Sequence, residues 1–118
     1  MVETIETQNN NIIALRIDGT FSEADLNPLI PLMKEKLTHL SKLRLFVEYI
    51  DMNDFTLDTL VEVLKANFGN LSGFDKAAIV TSTDWLSEAE KLADNTHGLN
   101  LKTFHFSEKP QALSWLEE

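Results

Sequence analysis

Six residues just past an apolar run, Asp51-Met52-Asn53-Asp54-Phe55-Thr56, hold most of what this chain could use for chemistry. Thr56 supplies a hydroxyl, with Asp51 and Asp54 as acids beside it. A threonine in that place most simply caps the helix that follows, which is worth about 1 kcal/mol. Its other use is as a phosphoacceptor. A phosphate there would sit on the positive end of a helix dipole, which helps, and would face Asp51, Asp54 and Asp58, which hinders. The Asp51, Asn53 spacing is that of a calcium loop, but the following Gly and terminal Glu are missing. A second hydroxyl, Thr83, stands two residues before Trp85 at another strand-to-helix junction. A tryptophan there either lines an apolar pocket, with its N–H on a polar partner, or packs against the end of the core.

Other chemistry finds no support. His39, His97 and His105 show no metal-ligand spacing, and there is no cysteine. No Gly-rich phosphate loop, nucleophile elbow or Ser-His-Asp set is recognisable. The expectation is a binding domain without catalytic residues, metal or cofactor. Net charge is −9 and the ten basic residues are scattered, which argues against nucleic acid as a partner. From Glu48 to Glu62 the chain carries Glu48, Asp51, Asp54, Asp58 and Glu62 with no base among them. These acids read as solvated faces; the alternative is a recognition patch for a basic partner.

The 118 residues fit one domain, 1–118, with one core. No stretch approaches the roughly 18 apolar residues of a membrane span. The N-terminus has no basic region followed by a long apolar core, so it does not read as a signal peptide. The expected location is the cytoplasm, with peripheral contact at a membrane surface allowed.

The elements that must position these residues follow from periodicity. Val2 to Thr7 and Ile12 to Asp18 read as a hairpin, with Ile13, Leu15 and Ile17 on one face and Arg16 on the other. Ser22 to Asp25 reads as a capping box, opening a helix to about Leu40. Its apolar face is Leu26, Leu29, Ile30, Met33 and Leu37; Pro28 and Pro31 predict a kink or a short separate first turn. Leu43 to Asp51 is a central strand, apolar enough to be covered on both faces. Leu57, Leu60, Val61, Leu64 and Phe68 then form a core-facing helical stripe ended by Gly69. Lys76 to Ser82 is a strand, followed by a helix opened by Thr83 or Ser87. Leu101 to Phe106 is the last strand, and Ser107 caps the final helix with Pro110 in its first turn. The order is β-β-α-β-α-β-α-β-α, an α/β fold with a mostly parallel sheet and an antiparallel N-terminal edge strand.

That order resembles the SpoIIAA-like, or STAS-type, domains, built as a β-α superhelix. Four pieces carry the resemblance: Ile13 to Asp18 with Gly19 and Asp25; Leu43 to Tyr49 with Asp54-Phe55; Ala77 to Val80 with Asp84-Trp85; and Phe104-His105-Phe106-Ser107-Glu108 with Ala112-Leu113-Ser114-Trp115-Leu116. Together they span nearly the whole chain. The anti-anti-sigma members act by partner switching through a phosphorylatable Ser in an Asp-Ser-Ser-Gly motif after the third strand. Here that region reads Asp51 to Thr56, and Thr56 is its nearest hydroxyl. The SpoIIAA-like branch is similar in shape to CRAL-TRIO-type lipid-binding domains, which implies a lipophilic ligand and membrane association.

Two expectations result. In the first, a lipophilic small molecule binds between the sheet and the helix after Thr56, lined by Phe55, Leu60, Leu64 and Phe68, with Thr83 and Trp85 at its mouth. That helix, with Val63 off its main apolar face and Phe55, Phe68, Leu71 and Phe74 flanking it, would act as a lid; the alternative is ordinary core and satellite packing. In the second, the surface around Asp51, Asp54 and Thr56 meets a protein partner. A homodimer stays open.

Overall fold

The computed structural model describes residues 2–5, 11–19, 22–50, 57–69, 71, 73–96 and 98–118. Five strands form one sheet in sequential order: β1 (Val2–Ile5), β2 (Ile12–Ile17), β3 (Leu43–Tyr49), β4 (Phe74–Thr81) and β5 (Asn100–His105). β1 pairs antiparallel with β2, and the other three pairings are parallel. This is the mixed sheet that the alternation predicts.

The sequential order decides where the helices go. Successive parallel strands step in one direction, and crossovers of one hand then lay every connecting helix on the same face. Accordingly α1 (Glu23–Leu26), α2 (Ile30–His39), α3 (Leu57–Phe68) and α4 (Thr83–Asn95) contribute to one apolar cluster with Ile13, Leu15 and Ile17 of β2 and Leu45, Val47 and Tyr49 of β3. The opposite face is built from the alternate residues: Ile12, Ala14, Phe46, Ala78, Val80 and Phe104. Among the described residues, only α5 (Lys109–Glu117), after the last strand, adds buried helical residues there, Ala112 and Leu116.

The two prolines act as their spacing predicts. α1 is a single turn, Asn27–Leu29 is a 3₁₀ turn holding Pro28, and α2 starts afresh with Pro31 in its first turn. The Ser22 backbone N–H donates to the Asp25 carboxylate at 2.9 Å, the return half of the capping box. α3 ends at Phe68 because Gly69 takes φ 75°, a conformation that suits a residue without Cβ. α4 opens at Thr83 with Ser82 before it, which resolves the two starts that the sequence allows.

Ser107 does not cap the last helix: a 3₁₀ turn comes before it, and His105 caps that turn. The His105 ring nitrogen accepts from the Ser107 N–H at 3.1 Å, and the Glu108 carboxylate accepts from the His105 N–H at 3.0 Å. A 3₁₀ turn over Phe106–Glu108 therefore precedes α5.

α5 lies close to the sheet because alanines face it. Ala78 and Ala112 are fully buried. Ala112→Leu is expected to cost about 1–3 kcal/mol by overpacking. Urea denaturation should show it as a lower midpoint with an unchanged slope.

Candidate functional site

The parallel strands bring their C-terminal ends to one rim, formed by Ile17, Tyr49, Thr81 and His105. Tyr49 and Thr81 are wholly buried, and the Thr81 hydroxyl donates to the Tyr49 carbonyl at 3.0 Å. Trp85, one turn into α4, is half-buried and meets Tyr49 edge-on with ring centroids 6.5 Å apart. Thr83 is exposed. Trp85 thus stands at the mouth of the first-face core, while Thr83 looks outward. Because strand order never reverses, the rim has no switch point of the kind that opens a ligand crevice in doubly wound sheets.

Beneath the rim, α3 covers the sheet. Leu60 and Leu64 are buried in a seam bounded by Leu45, Val47, Ala77 and Ile79. Eleven side chains line the seam and all are aliphatic, supplied by β3, β4, β5, α3, α4 and Leu99. The space left is about 10 Å³, no more than the smallest volume that holds one water. In this conformation α3 is closed onto the sheet.

Val63, Leu71 and Phe74, expected to flank a lid, are buried members of the same core. For Val63 the wide burial of α3 explains this, since α1 packs beside it and its apolar arc extends past the sheet-facing stripe; Leu71 lies in the connection after α3, and Phe74 opens β4. Phe68 is half-buried, edge-on to Phe74 at 5.3 Å, with the Lys34 ammonium 5.9 Å from its ring centre. Asp51, Asp54, Phe55 and Thr56 lie outside the described residues. Of the six residues expected to bind a ligand, the structure therefore gathers Leu60 and Leu64 in the seam, with Trp85 and Phe68 elsewhere on the same core.

On the second face lies a group that the sequence does not single out. Glu48, read there as one of a run of solvated acids, is only 4% exposed. It occupies an outward-alternating position of a strand buried on both sides. Its Oε2 accepts from Arg16 Nε at 3.0 Å, and its Oε1 pairs with the Lys109 ammonium at the start of α5. Arg16 also lies 3.8 Å from Glu3. Burial alone would push the Glu48 carboxyl up, but hydrogen bonds and charge from Lys109 and Arg16 outweigh it and hold the group below the usual carboxylate range. The same contact raises Arg16 above its ordinary value. The available signal was positional: Arg16 and Glu48 fall on the same side of adjacent strands.

Among the described residues no cluster of His, Cys, Asp or Glu could hold a metal ion, and no helix is long and apolar enough to cross a membrane.

A five-stranded mixed sheet, antiparallel at the β1–β2 edge and parallel elsewhere, with its connecting helices on one face, is the fold of a small α/β domain of the SpoIIAA type. A family model described as SpoIIAA-like matches residues 12–117, and the chain belongs to that family. Among solved structures, it is similar to an uncharacterized DUF3478-family protein with a SpoIIAA-like fold from Shewanella loihica PV-4. The two share 19% identity at a TM-score of 0.68, over 98% of this chain and 92% of that one. No curated protein matches.

Thr81→Val removes a buried hydroxyl donor and should cost about 0.5–1.5 kcal/mol. Thermal unfolding of the two proteins side by side measures it.

Proposed function

We propose that this chain is a non-enzymatic binding domain for a lipophilic small molecule, taken up between the sheet and α3, with a membrane surface as its source. The observation that carries this reading is the seam itself. Eleven aliphatic side chains and no polar one meet there, so an opened α3 would offer a slot suited to a hydrocarbon chain. Trp85 and Thr83 are assigned to its mouth, and Phe68 to its far end. Gly69, with φ 75° and open space on the side where other residues carry Cβ, gives α3 a natural pivot at its C-terminus.

The mechanism is displacement of α3, stabilised by a ligand that binds only the open state. Magnitudes restrict the ligand. Baring Leu57, Leu60, Val61, Val63 and Leu64 costs roughly 8–15 kcal/mol at about 1.5–3 kcal/mol each. At about 0.8 kcal/mol per buried methylene, on the order of ten to twenty methylenes offset that. A long acyl chain meets the requirement and a short one does not.

Native mass spectrometry of freshly purified protein, followed by organic extraction, tests the reading. The expected result is a stoichiometric adduct that releases a long-chain lipid. Trp85→Ala should weaken rebinding of that lipid by about tenfold, or about 1.4 kcal/mol, with the fold intact by circular dichroism. A clean apo mass together with no binding to anionic or neutral vesicles would overturn it and favour a protein partner instead.

A further inference from the structure

A sheet whose strands run in sequential order ends in its first and last strands. Among the described residues, β1 and β5 each pair on one side only. Each therefore presents a row of backbone N–H and C=O groups along an open edge. The two edges differ in what stands above them. On the first face α4 packs chiefly on β5, while β1 rests chiefly on β2. Adjacent strands lie about 4.8 Å apart, whereas packed helices need about 8–10 Å. A β5 edge paired with a second β5 would crowd two α4 helices into that space. The fitting neighbour for β5 is a strand not covered by a helix, and among the described elements β1 is that strand.

The side chains agree with this choice. With histidine neutral, β1 and β5 carry one charge each, Glu3 and Lys102, of opposite sign and both exposed. Glu3 stands opposite Arg16 on the second face. The Lys102 ammonium is on that face too, 5.4 Å from the Phe104 ring centre and 5.7 Å from that of Trp115. β1 and β5 run in opposite directions within the sheet. The β5 edge of one copy laid beside the β1 edge of the next thus pairs antiparallel, with the two sheets' faces aligned. Setting Glu3 opposite Lys102 places Val2 opposite Thr103, Thr4 opposite Leu101 and Ile5 opposite Asn100. Val2, Thr4, Leu101 and Thr103 then share the first face, as each does within its own copy. A slip of one residue would set the two faces against each other.

We propose that the β5 edge of one copy pairs antiparallel with the β1 edge of a second copy, Glu3 opposite Lys102, so that copies join head to tail in one continuous sheet. The contact is heterologous, and each added copy leaves one β1 edge and one β5 edge open. A strand twist of roughly 20–25° per step turns successive copies by about 100°, so the row winds into an open helix and does not close into a ring. The junction is small. Four facing pairs cover far less than the roughly 1,200 Å² at which stable interfaces begin. Each copy also carries a charge of −9, which opposes association. The joining is therefore weak, reversible and confined to high protein concentration.

Sedimentation velocity of the full chain, from about 10 μM to about 1 mM, tests the proposal. The sedimentation coefficient should climb past the dimer value without a plateau. Lys102→Glu sets like charges opposite each other and should weaken association about tenfold, and adding Glu3→Lys to it should restore the parent behaviour. The chain has no cysteine, so introduced ones report the junction alone. Under oxidation, a mixture of Glu3→Cys and Lys102→Cys proteins should cross-link faster than either protein by itself. A chain that stays monomeric at the highest concentration overturns the proposal. So does a plateau at the dimer, or association indifferent to Lys102→Glu. If Glu3→Lys does not fold beside Arg16, the cysteine mixture takes its place, and cross-linking no faster than that of its parts overturns the assignment of the two edges.

Discussion

A parallel sheet has to be covered on both faces, and strand order decides how many helices each face receives. Here every parallel strand is added on the same side of the last, so the connecting helices have only one face to occupy. Among the described residues, the helix that covers the second face is α5. Much else follows from this constraint. Alanines at 14, 78 and 112 bring α5 close, the strands hold out Arg44 and Lys76 to its end, and Glu48 stays charged although buried. A lone buried carboxylate is costly, and its two cationic partners remove most of the reason for it to neutralise.

The same order bears on ligand access. A doubly wound sheet opens a crevice where its strand order reverses, and this sheet never reverses. Tyr49, Thr81 and Trp85 instead close the rim, and the seam below α3 is packed to a residual volume of about 10 Å³. Binding in such a seam exchanges one set of aliphatic contacts for another. Under the function proposed above, that exchange makes chain length, rather than head-group recognition, the first determinant of what enters.

The strand set, the antiparallel edge and the broken first helix were legible because they rest on local rules: alternation, proline placement and a glycine past a helix end. Ile13, Leu15 and Ile17 fall on one face by counting alone, and they do so in the fold. Glu48 was not legible in that way. Its burial depends on Arg16, 32 positions before it, and on Lys109, which is brought over it only when α5 docks. Ser107 does not cap α5 because a 3₁₀ turn intervenes, capped by the His105 ring nitrogen, an acceptor that composition rules rank low. Within the site, the apolar pattern marks Leu60 and Leu64 as inward-facing but cannot separate packing against the sheet from lining a slot. Both functions ask for the same side chains.

The net charge of −9 is not spread evenly over this architecture. The four helices of the first face carry nine acids and four bases. On the other side, Arg16, Arg44, Lys76, Lys102 and Lys109 stand against Glu3, Glu48, Asp75, Glu108, Glu117 and Glu118. The molecule is electrically two-sided, with its negative field on the α1–α4 side and near balance on the α5 side. A negatively charged surface therefore repels one side and tolerates the other, so encounters with it are oriented before any contact forms. A cationic surface draws the molecule in the opposite orientation, helices first.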